Sequence, residues 1–311
     1  MADSSSGRVA ERKRHSYLVD AGIRLVKEKP LGTVGAVITL LLLLTGIFAD
    51  FLAPYGMNEC SANFLASSSA AHLLGTDQLG RDLLSRIIFG ARISVIVGLA
   101  AAGWSVVISL VIGIPSGYIG GKFDLIVQRF VDAWMCFPTL LILMVIMSIV
   151  GQGMLPLILI IGALMGTAGS RIIRGATMSI KENVYVAAAE AIGCSRSRIL
   201  TRHILPNIMA PIIMLFSMRV PNAILFEATL SFLGFGIPPP APSWGGMISG
   251  SGRLSVINAP LIIIWPGLAL AIVVYGINMF GDALRDLLDP RLRGGIGRYG
   301  VRKPKKDKKG G

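Results

Sequence analysis

Two ionisable residues, Arg219 and Glu227, stand inside a long apolar stretch of the sequence. A charge at membrane depth is costly, so such residues usually face the interior of a helix bundle or a water-filled path. Eight residues separate them, which is about 12 Å along a helix and too far for a direct ion pair. We expect them to line a translocation pathway or to join an interhelical network. The alternative is placement near a helix end, with the side chains reaching toward the membrane surface.

Patterns for other kinds of chemistry are weak. The thiols and imidazoles are scattered and lack C-x-x-C or H-E-x-x-H spacing: Cys60, Cys136, Cys194, His15, His72 and His203. This spacing indicates neither a metal site nor a disulfide framework. Residues 294–300 contain a G-x-G-x-x-G that follows no strand pattern, and the sequence has no G-x-x-x-x-G-K-[ST] phosphate loop. We therefore predict a non-catalytic chain with no metal or cofactor of its own.

Long apolar stretches must position these residues. Of 311 residues, 53% are hydrophobic and 15% charged, which is too little charge to cover a water-soluble protein of this size. The stretches long enough to cross a hydrocarbon core of ~30 Å lie at 31–52, 93–118, 134–151, 154–173, 208–232 and 260–280. The sequence thus predicts an all-α polytopic membrane protein with six transmembrane helices.

Lysine and arginine are distributed unevenly between the two sides of these spans. The net charge is +13, and 25 basic residues fall on the side of both termini, 4 on the other side, and Arg219 within a span. Cytoplasmic loops carry the excess of basic residues, so we predict an inner-membrane protein with both termini in the cytoplasm. The charge forms no single basic face, which argues against a nucleic-acid partner.

This topology divides the chain into four parts. They are a cytoplasmic segment at 1–30, a first span with an outer loop at 31–92, a transmembrane domain at 93–281 and a basic cytoplasmic tail at 282–311. The tail is expected to be attracted to anionic membrane lipid.

Glycines recur at four-residue spacing in two of the spans, at Gly113, Gly117 and Gly121 and at Gly162 and Gly166. Small residues spaced in this way let membrane helices approach closely. We interpret them as packing within this chain; contact with a second membrane subunit is the alternative.

The segment at 181–207, between the fourth and fifth spans, is unusually apolar for a solvated loop: KENVYVAAAEAIGCSRSRILTRHILPN. Residues 184–192 have helical apolar spacing, Gly193 can end that turn and Ser195 can cap a second helix. Pro206 is expected to break the chain before the next span. The expected structure is two short helices around a bend, and an alanine-rich helix presents a smooth ridge that can enter a groove on another protein.

At this segment the chain resembles the integral membrane subunits of ATP-binding-cassette importers, which carry a so-called EAA loop. Two alanines, a later glycine and a Leu-Pro pair match that loop at Ala188, Ala189, Gly193, Leu205 and Pro206, while Ala187 stands where the family has an acid. The resemblance implies a type I importer permease fold in which 188–206 is a coupling helix seated on an ATPase. The residues predicted to couple to the ATPase are Ala188, Ala189, Glu190, Gly193, Arg198, Arg202, Leu205 and Pro206.

Other stretches resemble the C-type permease of the dipeptide, oligopeptide and nickel importers. They are FADFLAPY at 48–55, HLLGTDQLGRDLLSRIIFGARIS at 72–94, LSFLGFGIPPPAPSWGGMI at 230–248 and GDALRDLLDPR at 281–291. The resemblance implies half of a translocation pathway for di- or oligopeptides. The implied partners are a homologous B-type permease, an extracytoplasmic substrate-binding protein and two ATPase subunits that bind ATP and Mg.

Two other functions stay open at the level of sequence. The same architecture imports nickel or other metal chelates, although the lack of a His/Cys cluster weakens direct metal coordination. A secondary transporter or channel acting alone is expected to show an inverted repeat and mid-membrane carboxylates, and only Glu227 fits that pattern.

On the predicted outer face, Asp77, Arg81, Asp82 and Trp244 are candidates for docking the binding protein. Asp77 is placed to cap a helix, and Arg81, Asp82 and Arg86 fall at spacings that allow local ion pairs, so a surface helix held by its own salt bridges is the competing interpretation. Trp244 follows a run of prolines and is expected to anchor a rigid loop at the membrane interface.

Overall fold

The computed structural model describes residues 17–255 and 259–288, and over these ranges the regular secondary structure is helical. The helices are α1 (Tyr17–Glu28), α2 (Pro30–Ile47), α3 (Ala49–Leu52), α4 (Leu83–Ile119), α5 (Gly121–Met135), α6 (Thr139–Val150), α7 (Met154–Lys181), α8 (Val184–Ala191), α9 (Arg196–Ile199), α10 (Met209–Leu233), α11 (Trp244–Ser255) and α12 (Leu261–Leu288). The N-terminal residues 1–16, the glycine motif at 294–300 and most of the predicted basic tail lie outside the described residues.

The predicted spans correspond to helices with one exception. In the described part of the chain, α2, α4, α7, α12 and the helix that ends in α10 are each long and apolar enough to cross a membrane. The predicted continuous span at 134–151 is wrong, because α5 and α6 meet there at a bend of 85°. Pro138 lies at the break, where it lacks a backbone N–H and disfavours a helical conformation at the residue before it. With 12 residues, α6 is about 18 Å long, so only the bent pair together can supply a sixth span.

The prediction that Pro206 breaks the chain before the next span is wrong. A continuous helical path runs from Arg196 to Leu233 through α9, a π-helical turn at Leu200–Ile204, a 3₁₀ turn at Leu205–Ile208 and α10. Pro206 occupies the start of the 3₁₀ turn, where its missing N–H costs little. The change from a wide turn to a tight one accommodates the proline without ending the helix.

The centre of the bundle is a long contact between α4 and α7. A Cβ on Gly113 would lie 2.5 Å from the Ser170 carbonyl oxygen, and one on Gly166 would lie 2.7 Å from that of Ser105. Gly117 and Gly162 make similar approaches across the same contact. The predicted packing within this chain is confirmed for these four glycines. Gly121 is different, because it begins α5 with a φ of +56° and has open space where a side chain would be.

The remaining helices surround this pair. α10 packs against α4, α7 and α12, and α2 packs against α12. Residues 53–82, here called the large loop, cover the end of the bundle where α4 begins, and α8 lies at the opposite end, here called the coupling-loop end. The functional candidates therefore fall at the two ends and along α10 between them.

We predict that Gly113→Leu destabilises the protein by about 1–3 kcal/mol, because the added side chain forces the α4 and α7 backbones apart. Gly103→Leu is the matched control, since Gly103 lies in the same helix and a Cβ there meets nothing within 4 Å. Thermal unfolding of the purified protein in detergent measures both variants. Equal melting temperatures for the two would contradict the assigned role of the α4–α7 contact.

Candidate coupling surface and membrane pathway

Helix α8 has one buried side and one uncovered apolar side. Val186 and Ala189 are buried and join a core cluster with residues of α9 and the turns that follow it. On the other side Val184 is 85% exposed, and Ile192, just beyond the helix, is 80% exposed. We call the uncovered residues the coupling surface: Val184, Ala187, Ala188, Ala191 and Ile192. A contiguous apolar surface of this kind is typical of a protein–protein contact.

The predicted stop, bend and cap after α8 are confirmed. Gly193 has a φ of +78° and donates its N–H to the Glu190 carbonyl at 3.0 Å, while the Cys194 N–H reaches the Ala189 carbonyl at 3.0 Å. These two bonds form a Schellman motif, which favours glycine at the left-handed position. The Ser195 hydroxyl then accepts a hydrogen bond from the Arg198 N–H and caps α9.

Side-chain contacts fix α8 to the ends of two spans. The Tyr118 hydroxyl donates to Glu190 Oε1 at 2.9 Å, and Lys181 Nζ donates to the Tyr118 carbonyl at 2.7 Å. Glu190, which the sequence assigns to ATPase coupling, thus contacts its own chain. Sequence reasoning missed Tyr118, because nothing in the local pattern at the end of α4 indicates a partner 72 residues away.

The other predicted coupling residues lie close to α8 but differ in exposure. Arg198 and Arg202 are exposed and form no ion pair within residues 17–255 and 259–288. Leu205 packs against the core, and Pro206 is exposed beside it. Their contact with an ATPase stays a prediction.

A polar cavity of about 570 Å³ lies between α5 and α7 near the coupling-loop end. Asp124 accepts two hydrogen bonds from Arg174, from Nε at 2.6 Å and from Nη2 at 2.5 Å, and Arg171 donates to Asp132. These ion pairs attach the loosely packed α5 to α7, which leads directly into α8. Sequence reasoning missed the pairing of Asp124 with Arg174, although the amphipathic pattern of α5 was a usable signal.

The two pathway candidates have different surroundings. Glu227 is fully buried, and its Oε1 accepts from the Ser231 hydroxyl at 2.8 Å. That hydroxyl also accepts from the Ile237 N–H at 3.2 Å, so Glu227 helps to hold the chain beyond α10. These contacts lie within α10 and the loop that follows it, and a pathway or interhelical-network role for Glu227 stays a prediction. Arg219 is only partly buried and lies against Gly169 of α7, in the middle of the bundle.

The acidic docking candidates of the large loop are buried and have structural contacts. Asp82, not Asp77, caps a helix: its Oδ2 accepts from the Ser85 N–H at 2.8 Å at the start of α4. Asp77 instead accepts from the Arg81 N–H and side chain in a turn, and lies 3.6 Å from Arg86 Nε. A local ion pair is thus confirmed for Arg81, whereas Asp82 lies 3.0 Å from His72 Nδ1 and not against Arg86. The predicted cap at Asp77 and the separate surface helix are wrong, because this segment folds onto the first turn of a span.

Trp244 is buried rather than placed at the membrane interface. Its indole N–H donates to the Ile87 carbonyl at 3.0 Å, and its ring covers Gly90 of α4. The interface prediction is wrong because the indole finds its hydrogen-bond partner inside the bundle. A cavity of about 630 Å³ lies nearby, and its lining includes Gln78, Arg81 and the prolines at 238–240. Docking of a binding protein at this end stays a prediction.

Comparison with known proteins gives a family match over more than half of the chain. Residues 109–294 match the family model described as binding-protein-dependent transport system inner membrane component. The chain belongs to this family. The matched range includes the last part of α4, all of α7, the coupling surface and α10.

Curated relatives extend the similarity over most of the chain. The dipeptide transport system permease protein DppC of Alkalihalophilus pseudofirmus is 36% identical over 86% of this chain and 88% of its own length. The oligopeptide transport system permease protein OppC of Bacillus subtilis is 36% identical over 94% of this chain and 95% of its own. The glutathione transport system permease protein GsiD of Pectobacterium atrosepticum is 38% identical over 82% of this chain and 85% of its own length. A solved chain of the MetNI methionine ABC transporter aligns at 16% identity with a TM-score of 0.49, over 67% of this chain and 96% of its own.

We predict that Asp77→Ala destabilises the permease by about 3–5 kcal/mol, because it leaves the buried Arg81 without its carboxylate partner. Asp50→Ala is the matched control: Arg92 donates a hydrogen bond to this exposed carboxylate and lowers its pKa, but water replaces such a pair easily. Thermal unfolding and trypsin cleavage of the large loop measure the two variants. A loss of stability for Asp50→Ala as large as that for Asp77→Ala would contradict the structural role assigned to Asp77.

Proposed function

We propose that this permease imports short peptides and forms one half of a translocation pathway, with a homologous B-type permease forming the other half. Support for the substrate comes from the relatives, whose names specify dipeptide, oligopeptide and glutathione transport. Glutathione is itself a tripeptide, so all three names describe short peptides with a carboxylate. An extracytoplasmic binding protein delivers the peptide at the large-loop end.

The coupling surface is the observation that carries the ATP-driven part of this proposal. Its apolar residues are uncovered, whereas the other side of α8 is packed into the core. Two ATPase subunits bind ATP and Mg, and one of them receives α8 in a groove; this chain hydrolyses nothing. The exposed Arg198 and Arg202 add positive charge for acidic groups on that partner.

The contacts of α8 explain how movement of an ATPase reaches the membrane. α8 follows directly after α7, and Glu190 joins it to Tyr118 at the end of α4. Displacement of α8 therefore moves α4 and α7 together, as a rigid-body rotation of the kind that opens and closes transport pathways.

We predict that Ala188→Trp abolishes coupling without unfolding the permease, since Ala188 is exposed and its substitution leaves the buried side of α8 unchanged. Recovery of the ATPase subunits with the purified permease is expected to fall at least tenfold, about 1.4 kcal/mol, and uptake of trialanine by cells is expected to fall with it. Ala62→Trp is the control, because Ala62 is an exposed alanine of the large loop. Full ATPase recovery with Ala188→Trp would contradict the coupling assignment.

Natural cysteines provide a test of the proposed orientation, in which both termini are cytoplasmic. Cys60 is exposed on the large loop, and Cys194 is partly exposed beside the coupling surface. In spheroplasts, a membrane-impermeant maleimide is expected to label a variant that keeps only Cys60 and to spare one that keeps only Cys194. Labelling becomes possible at Cys194 once the membrane is permeabilised. The reverse pattern in intact spheroplasts would show that the orientation is inverted.

A further inference from the structure

Arg219 places a cation deep in the membrane-spanning part of the bundle. It lies 14 residues from the large-loop end of α10, which is about 21 Å along the helix. Its Nη2 is 3.3 Å from the point that a Cβ on Gly169 would occupy, and Gly169 is near the middle of α7. The glycine leaves room for the guanidinium in the crevice between the two helices.

This guanidinium has no partner in the part of the chain that the structure describes. Its Nε is buried without a hydrogen bond. Glu227 is two turns away and bonds Ser231, while Asp124 is occupied by Arg174. An unpaired cation at this depth costs several kcal/mol. Arg81 near one end of the bundle and Arg174 near the other, in contrast, pair with Asp77 and Asp124.

The side of α10 next to Arg219 is not covered by residues 17–255 or 259–288. Met218, Asn222 and Leu225 are exposed there, and the Asn222 amide, one turn from Arg219, uses one N–H on the Met218 carbonyl. Its carbonyl oxygen and second N–H are free to hydrogen-bond a peptide group. A cation and an amide thus lie one turn apart beside a part of α10 that the described residues leave exposed.

We propose that Arg219 binds the C-terminal carboxylate of the peptide as it crosses the membrane, with Asn222 hydrogen-bonding an adjacent peptide group. This inference rests on the proposed peptide-import function. A guanidinium forms two parallel hydrogen bonds with a carboxylate, and in a site of low dielectric this pairing is strong. Every peptide with a free C-terminus carries this group, so such a site recognises peptides irrespective of their side chains.

The test compares uptake of trialanine and of trialanine amide by the whole importer in proteoliposomes, with its binding protein and ATP. The ratio of the two rates in a variant is divided by the ratio in the natural protein, which cancels the preference of the binding protein. Arg219→Met is expected to lower the trialanine-to-amide ratio at least tenfold, because it removes a charge-assisted hydrogen-bond pair that only trialanine forms. Arg219→Lys keeps the cation and is expected to stay within about threefold of the natural ratio.

Arg92→Met is the control, because Arg92 lies near the large-loop end of α4 and pairs with Asp50; it is expected to leave the ratio unchanged. Arg219→Gln replaces Arg219→Met in the comparison where the methionine variant is not inserted into the membrane. An unchanged ratio in Arg219→Met or Arg219→Gln would overturn the inference. Loss of the second permease from the purified complex would also overturn it, because the anionic partner of Arg219 would then belong to that subunit and not to the peptide. Absence of trialanine uptake by the natural protein would overturn the peptide proposal itself, and this inference with it.

Discussion

The close packing of α4 against α7 positions the other functional segments of this permease. Gly113 and Gly166 bring each helix backbone against a carbonyl of the other, at distances that leave no room for a side chain. Lipid is as apolar as leucine, so helices in a membrane are held together by such close van der Waals contact and not by the hydrophobic effect. α4 begins beneath the large loop, and α7 ends at α8, so this one contact connects the two ends of the bundle.

Ion pairs fix the geometry of the segments at the two ends of the bundle. Asp77 holds Arg81 under the large loop, and Asp124 holds Arg174 near the coupling-loop end. Buried or half-buried pairs contribute little net free energy, but breaking one is costly, and they therefore restrict the geometry of the segments they join. Arg219 lacks such a partner within the described residues, which is why its position is better explained by a ligand than by the stability of the fold.

Local patterns in the sequence were sufficient to predict several elements correctly. Apolar stretches of spanning length identified five spans and the region of the sixth, because the thickness of the hydrocarbon core sets their length. The helix, bend and cap around Gly193 and Ser195 were also predicted, since a left-handed glycine and a capping hydroxyl act within a few residues. The motif of the coupling loop and the similarity over the rest of the chain identified the family.

Tertiary structure decided what depends on residues far apart in the sequence. The spacing of Asp77 is as suitable for a cap as that of Asp82, and only the fold of the large loop onto α4 selects Asp82. Trp244 carries the usual signature of the membrane interface, yet a carbonyl of α4, 157 residues away, accepts its N–H inside the bundle. The sequence by itself thus determined five of the spans, the helix, bend and cap around Gly193, and the family. Packing between distant helices decided which charges are paired, which aromatic ring is buried, and that Arg219 is left without a partner among the described residues.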